Sequence, residues 1–336
     1  MTINGEHAVA QHLQLKNAVG PNVAYLCTAM EIGVIKAFID WKVFDHIPDE
    51  GQISSSSLAD MIGGEQELLD LGPDRGGFPD AHAQSLHPLH GSFPAYLALH
   101  GFSSPKHAQV TPFGMATEHP NENVYEIIAG DPKLSKEFDS FIGRASKVFP
   151  MNGVYDLSWM QKQAAATRDR PLFVDIGGSN GHALRDILKD HPWLSAERCA
   201  VFDRAPTIEH TRANLDDSIT SIQLVAGSVL DVLPSPVQGA LIYQLHRVLN
   251  DFPDDDVRRC WKSLRTAAAP DTRVNVVEEL LQANRNVAQD ISLMLVGGKR
   301  RNAQMHAALA GEAGFKLNRI FPDTYNDCSV LEFLLA

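Results

Sequence analysis

The residues best placed to do chemistry surround one glycine-rich turn, Gly177-Gly178-Ser179-Asn180-Gly181, which follows the apolar run Leu172-Phe173-Val174 and Asp175. Glycines let backbone approach a ligand where a Cβ would collide. A strand, tight turn and helix N-terminus built this way present N–H groups to a nucleotide-like cofactor. Residues 182–188, apolar at helical spacing, supply that helix. Asp203 ends the apolar run Cys199-Ala200-Val201-Phe202, 22 residues after Gly181. A carboxylate there can accept both hydroxyl protons of a ribose. Dehydrogenases use such turns as well, so the turn alone does not decide between cofactors.

The elements that must position these groups follow from the next apolar runs. Residues 222–226 lead into Gly227-Ser228-Val229-Leu230-Asp231, residues 240–243 enter the polar stretch from His246 to Asp255, and residues 274–277 end at Glu278-Glu279. Five predicted strands therefore each deliver polar or charged side chains at their C-terminal ends, where open α/β sheets bind ligands. Gly314-Phe315-Lys316-Leu317 and the run 329–335 are candidates for two further, final strands.

In its order and spacing this pattern resembles the class I S-adenosylmethionine-dependent O-methyltransferases that act on small molecules, of the plant phenolic and fungal polyketide type. The markers are Val174-Asp175-Ile176-Gly177-Gly178-Ser179-Asn180-Gly181, Val201-Phe202-Asp203, Arg247-Val248-Leu249-Asn250-Asp251-Phe252, Val277-Glu278, Gly297-Gly298-Lys299-Arg300-Arg301 and Ala313-Gly314-Phe315. The resemblance covers residues 140–336 well and 20–65 more loosely. It implies a Rossmann-like α/β domain with a seven-stranded, mostly parallel sheet over 166–336, preceded by a small helical, winged-helix-like dimerisation domain over 1–118 and a helical bridge and substrate wall over 119–165. It implies S-adenosylmethionine as cofactor, with Asp175, Gly177, Gly178 and Gly181 on its methionine side and Asp203 at the ribose. The turn Gly227, Ser228, Val229 would border the adenine, and Arg247 joins the cofactor-binding set.

Departures from the family pattern matter as much. Where the family carries a histidine that removes the acceptor proton, this chain has Asn250, followed by Asp251. An amide can orient a substrate but cannot take a proton near neutral pH, and losing a general base forfeits about 10²–10⁴-fold in rate. Of the two acids that flank that histidine, Glu278 matches the first and Arg300 falls at the second. Three readings compete. Methyl transfer can continue to an oxygen already acidic, such as an enol or vinylogous acid. The cofactor can instead act as a fixed positive charge in a non-methylating pericyclase, with Arg300 and His246 or Arg247 polarising a carbonyl. Or the protein is a catalytically silent binding scaffold.

Phe149 and Met151, with Met294 on the far side, are the expected substrate contacts, in an apolar pocket suited to an aromatic or polyketide-like ligand. Residues 24–39 and 55–62 carry helical patterns. Residues 65–110 fit the family poorly: they are rich in Gly and Pro and hold His82, His87, His90, His100 and His107 at spacings that match no compact metal site. No metal is expected. A chain of 336 residues with 44% hydrophobic content is ample for a globular enzyme. Its net charge of −12 argues against nucleic acid, and no apolar run is long enough to cross a membrane. Four cysteines without metal spacing read as reduced thiols of a cytoplasmic protein, a homodimer by the resemblance.

Overall fold

A computed structural model describes residues 42–48, 53–63, 96, 99–100, 105–136, 138, 154–281, 293–322 and 328–336. The expected helix over 24–39, most of 65–110, and both Phe149 and Met151 lie outside the described residues. Helix Ser55–Ile62 forms where the sequence predicts it, with the Ser54 hydroxyl accepting the Ser57 N–H and Gly63 in left-handed backbone closing the end.

The seven strands among the described residues join one sheet: β1 Phe173–Ile176, β2 Cys199–Asp203, β3 Gln223–Ala226, β4 Ile242–His246, β5 Arg273–Glu279, β6 Phe315–Pro322 and β7 Cys328–Leu335. Their spatial order is β3-β2-β1-β4-β5-β7-β6, a Rossmann-like arrangement in which β1 to β5 run parallel and β7 lies antiparallel between β5 and β6. The strand order reverses between β1 and β4, so loops after these two strands diverge and leave a crevice at their C-terminal ends.

Alternation along the strands fills two cores, one on each face. On one face Val174, Tyr243, Val276 and Leu331 pack around Trp261, whose ring meets Phe315 and Phe333 at 5.1 and 4.9 Å. On the other, Phe173, Val201 and Ile242 pack beneath Leu184 and Ile187 of helix His182–Asp190. This second face also carries an unbroken polar row across four neighbouring strands. Asp175 lies opposite Gln244, Gln244 opposite Asn275, and Asn275 opposite Glu332, each about 1% exposed. At its outer end Glu332 is saturated, accepting hydrogen bonds from Tyr155, Arg273 and Asn318. Tyr155 thereby ties the start of the catalytic half to the sheet.

Candidate active site

The glycine turn is built by backbone that only small residues tolerate well. Gly177 and Gly181 have φ of 72° and 74°, and Ser179 also lies in the left-handed region at 47°. A Cβ on Gly177 would stand 2.7 Å from the Val248 side chain, so β1 and the loop after β4 are in intimate contact here. Asp203 organises the turn from the neighbouring strand. One carboxylate oxygen accepts the Ser179 N–H at 2.9 Å and the other the Arg204 N–H at 2.7 Å, which leaves lone pairs for a further donor. The following turn is more inward than its sequence suggests. Gly227 lies against the Phe202 ring, the Ser228 hydroxyl accepts the Leu230 N–H, and Val229 belongs to the core.

Residues Leu249–Asp251 form one short 3-10 turn directly after β4. Glu278, at the end of β5, supports it from below: one oxygen accepts the Leu249 and Asn250 N–H groups at 3.0 and 3.3 Å. Asn250 and Glu278 are buried, while Asp251 keeps partial exposure. The segment 298–301 packs over the turn. The Lys299 N–H donates to the Asn250 carbonyl at 2.8 Å, and Gly298 leaves no room for a side chain against it.

Arg301 was legible in the sequence only as part of a basic run. It is 1% exposed, and its guanidinium donates to the Leu249 and Phe252 carbonyls, each at 2.7 Å, and to Asp254 at 2.8 and 2.9 Å. Lys299 holds the other Asp254 oxygen at 2.6 Å. The run thus turns inward and grips the loop that carries Asn250 and Asp251. Arg300, between them, is also buried. Arg247 sits in left-handed backbone with φ of 58°, its guanidinium 3.9 Å from Glu279. Met294 is half-buried next to the fully buried Leu295, which packs on Phe113, Val124 and Ile127. Tyr125, which no motif in the sequence marks, reaches the same loop and donates its hydroxyl hydrogen bond to Asp251.

Buried polar atoms without a protein partner gather at this end of the sheet: Asp175 Oδ2, Asn180 Oδ1, His246 Nε2, Asn250 Oδ1 and Glu278 Oε2. They are half of the unpartnered buried polar atoms among the described residues, the others being scattered over Gln163, Trp261, Asn275 and His306, and this grouping makes the end of the sheet the candidate place for a polar ligand. Burial pushes Asp175 up to about 7 and, with help from Asp251, Glu278 up to about 8, and it holds His246 neutral down to about 4. A shallow depression lined by Asp169, Gln238 and Asp271 lies at the opposite ends of the strands, away from all of these groups. Among the described residues no cluster of His, Cys, Asp and Glu could hold a metal, and no helix is long and apolar enough to cross a membrane.

These acids set a pH dependence. Both Asp175 and Glu278 are ionised in the unfolded chain above about pH 5, so near neutrality the folded state binds more protons and loses stability as pH rises through 7 and 8. The neutral His246 and His306 act in the opposite sense, but only below the ordinary histidine range of about 6.5. Urea unfolding of the free protein should therefore give a lower free energy at pH 8 than at about pH 6.5, by on the order of 1–2 kcal/mol. Glu278→Gln should flatten that slope; an unchanged slope would remove Glu278 from its cause.

Comparison with known proteins agrees with this architecture. Residues 112–316 match the O-methyltransferase domain family. Methyltransferase phm5 of Pyrenochaetopsis sp is 34% identical, the alignment covering 93% of this chain and 95% of that protein. Methyltransferase pynC of Aspergillus niger is 32% identical over 94% of this chain and 97% of its own. Among solved structures, OxaC in complex with S-adenosylhomocysteine and oxaline superposes with a TM-score of 0.76 at 21% identity, covering 94% of this chain and 88% of OxaC. LepI in complex with S-adenosylmethionine gives 0.73 at 20% identity, covering 98% and 92%. This chain belongs to the O-methyltransferase domain family, as a class I S-adenosylmethionine-dependent methyltransferase related to those of fungal secondary metabolism.

Proposed function

We propose that the protein methylates an acidic oxygen, enolic or phenolic, on a small aromatic or polyketide-like metabolite, and that it does so without a histidine base. The observation that carries this reading is Asn250, a buried amide on the Glu278-supported turn where the family places its histidine. S-adenosylmethionine, when bound, supplies an electrophilic methyl group on a cationic sulfur. The site suits such a cation: Asp175 Oδ2 is buried and unpartnered, and Asp203 keeps acceptor capacity beside the glycine turn. Asp175, Gly177, Gly178 and Gly181 would hold the methionine portion, Asp203 the ribose, and Gly227 to Val229 the adenine, with Arg247 closing the same side. Asn250 orients the acceptor, Glu278 fixes the turn, and Arg300 contributes positive charge. Alignment of the acceptor supplies most of the acceleration, since effective molarities reach about 10⁵–10⁸ M for well-oriented reactants.

In this reading the region 1–118 is a helical dimerisation domain, and 119–165 forms a bridge and substrate wall in which Phe149 and Met151 face Met294. The protein works as a cytoplasmic homodimer. Cys199, Cys260 and Cys328 are buried and outside any disulfide, which accords with a reducing compartment.

Calorimetric titration with S-adenosylmethionine and S-adenosylhomocysteine is the first test, and micromolar affinity is expected; no binding would remove every role above. Asn250→His should preserve methylation of a phenol or raise it by up to about 10²-fold. A fall in that rate would mean that the amide itself is required. Cyclised product appearing without S-adenosylhomocysteine would favour the pericyclase alternative, and neither chemistry would favour a scaffold.

A further inference from the structure

With residue 250 an amide, the acceptor proton still has to go somewhere unless the acceptor arrives fully ionised. Asn250 and Glu278 are 3% and 1% exposed, and one Glu278 oxygen is spent on the turn. Asp251 differs from both. Its residue surface keeps partial exposure, and one of its oxygens is held by a side chain from another part of the fold. That side chain is Tyr125, on helix Val124–Gly130, a helix fixed at its start by a reciprocal cap between Asn123 and Glu126. The Tyr125 ring lies under the Arg204 guanidinium at 4.8 Å and meets Phe138 edge-on at 6.0 Å. The phenol is therefore anchored from three directions before it reaches Asp251.

We propose that Asp251, oriented by Tyr125, is the proton acceptor of this site, one residue beyond the usual position, and that it serves an acceptor hydroxyl of intermediate acidity. This inference rests on the methyl-transfer reading above. In the step proposed, the acceptor O–H bond breaks, its electron pair stays on the acceptor oxygen, and the proton forms a new O–H bond on the Asp251 carboxylate. The acid returns that proton to water after turnover. Tyr125 is a positioning residue: its hydroxyl donates to the oxygen that does not receive the proton, and it is well suited to that because burial and the adjacent Asp251 charge keep the phenol protonated.

The groups facing Asp251 set its basicity. Burial raises it to about 6, while the Tyr125 hydrogen bond and the Arg247 charge pull it down. Glu278 lies close enough for the two acids to influence one another, Arg204 and Asp203 act across the Tyr125 ring, and Arg300 follows on the segment packed against the turn. A carboxylate of that strength is ionised at neutral pH and can take a proton from an enol or activated phenol, but it is a poor base for an alcohol.

The test compares two acceptors, 4-hydroxycoumarin, an enol ionised at neutral pH, and 7-hydroxycoumarin, a phenol, in wild type, Asp251→Asn and Tyr125→Phe. Asp251→Asn should lose at least about tenfold more rate on 7-hydroxycoumarin than on 4-hydroxycoumarin. Tyr125→Phe should move the pH–rate midpoint upward, because the lost hydrogen bond favoured the carboxylate. A readout independent of turnover is the infrared band of the protonated carboxyl in the free enzyme. It should titrate near neutrality, shift upward in Tyr125→Phe and lose a component in Asp251→Asn. Equal losses on both acceptors, or an infrared titration indifferent to Tyr125→Phe, would reduce Asp251 to a structural residue and leave base-free methylation standing. Failure of wild type on 7-hydroxycoumarin alone would also overturn the proposal. No methylation of either compound would remove the proposal and the methyl-transfer reading together.

Discussion

Gly298→Ala should dismantle the loop that carries Asn250 and Asp251. An added Cβ would stand 2.1 Å from the Asn250 carbonyl oxygen and 2.9 Å from the Asp251 Cα. Both are backbone atoms, so no rotamer change relieves the clash. The only escape is to push the 3-10 turn away, which breaks the Lys299 N–H to Asn250 carbonyl bond at 2.8 Å and pulls the turn off Glu278. Overpacking of this kind costs about 3 kcal/mol or more. Urea unfolding should show that loss, with methyl transfer falling below detection even where some fold survives. Gly311→Ala is the control, because a Cβ there meets nothing within 4 Å on an existing helix. It should be neutral or stabilise by roughly 0.5–1 kcal/mol. Equal effects from the two alanines would refute the steric argument.

Arg301→Leu should cost about 2–4 kcal/mol, mainly through the buried backbone carbonyls that it serves, because its partner Asp254 is itself 35% exposed. The loss goes beyond the charge. The Leu249 and Phe252 carbonyls would lose their donor, and Asp254 would keep only Lys299. Arg301→Lys tests what the forked geometry contributes, since one ammonium cannot serve three acceptors spread over residues 249 to 254. It should recover part of the stability and little of the activity. A double-mutant cycle with Asp254→Asn would isolate the pair itself, and a coupling energy near zero would mean that the carbonyl contacts dominate.

Much of the catalytic half was legible in the chain because its signals are local. Apolar runs of strand length, each ending in a polar residue, placed β1 to β5, and the two C-terminal candidates became β6 and β7. The glycine-rich turn after β1 was legible from residue type, though not that Ser179 rather than Gly178 would share the left-handed backbone of Gly177 and Gly181. What escaped was whatever depends on contacts distant in sequence. Lys299-Arg300-Arg301 resembles a solvated basic patch until the loop at 249–254 is folded against it, and only then do Arg301 and Lys299 find Asp254. Tyr125 and Asp251 are 126 residues apart, and nothing in the spacing of either announces the other. Gly298 stands in a motif, but that only a glycine fits against the Asn250 carbonyl is a matter of packing. That Val229 also packs into the core beneath its turn is likewise a matter of long-range contacts.

The placement of β7 bears on how the chain is made. The last strand in sequence is an inner strand of the sheet, pairing with β5 on one side and β6 on the other. A ribosome releasing residues in order therefore exposes the β5 edge, with Val274 and Val276 unprotected on one flank, until residues 328–335 have emerged. Cofactor-side geometry depends on that event, because Glu278 and Glu279 lie in the part of β5 that β7 covers, opposite Ser329 and Cys328. A chain interrupted before residue 328 would present an open, apolar edge to its neighbours, a configuration prone to strand-to-strand aggregation.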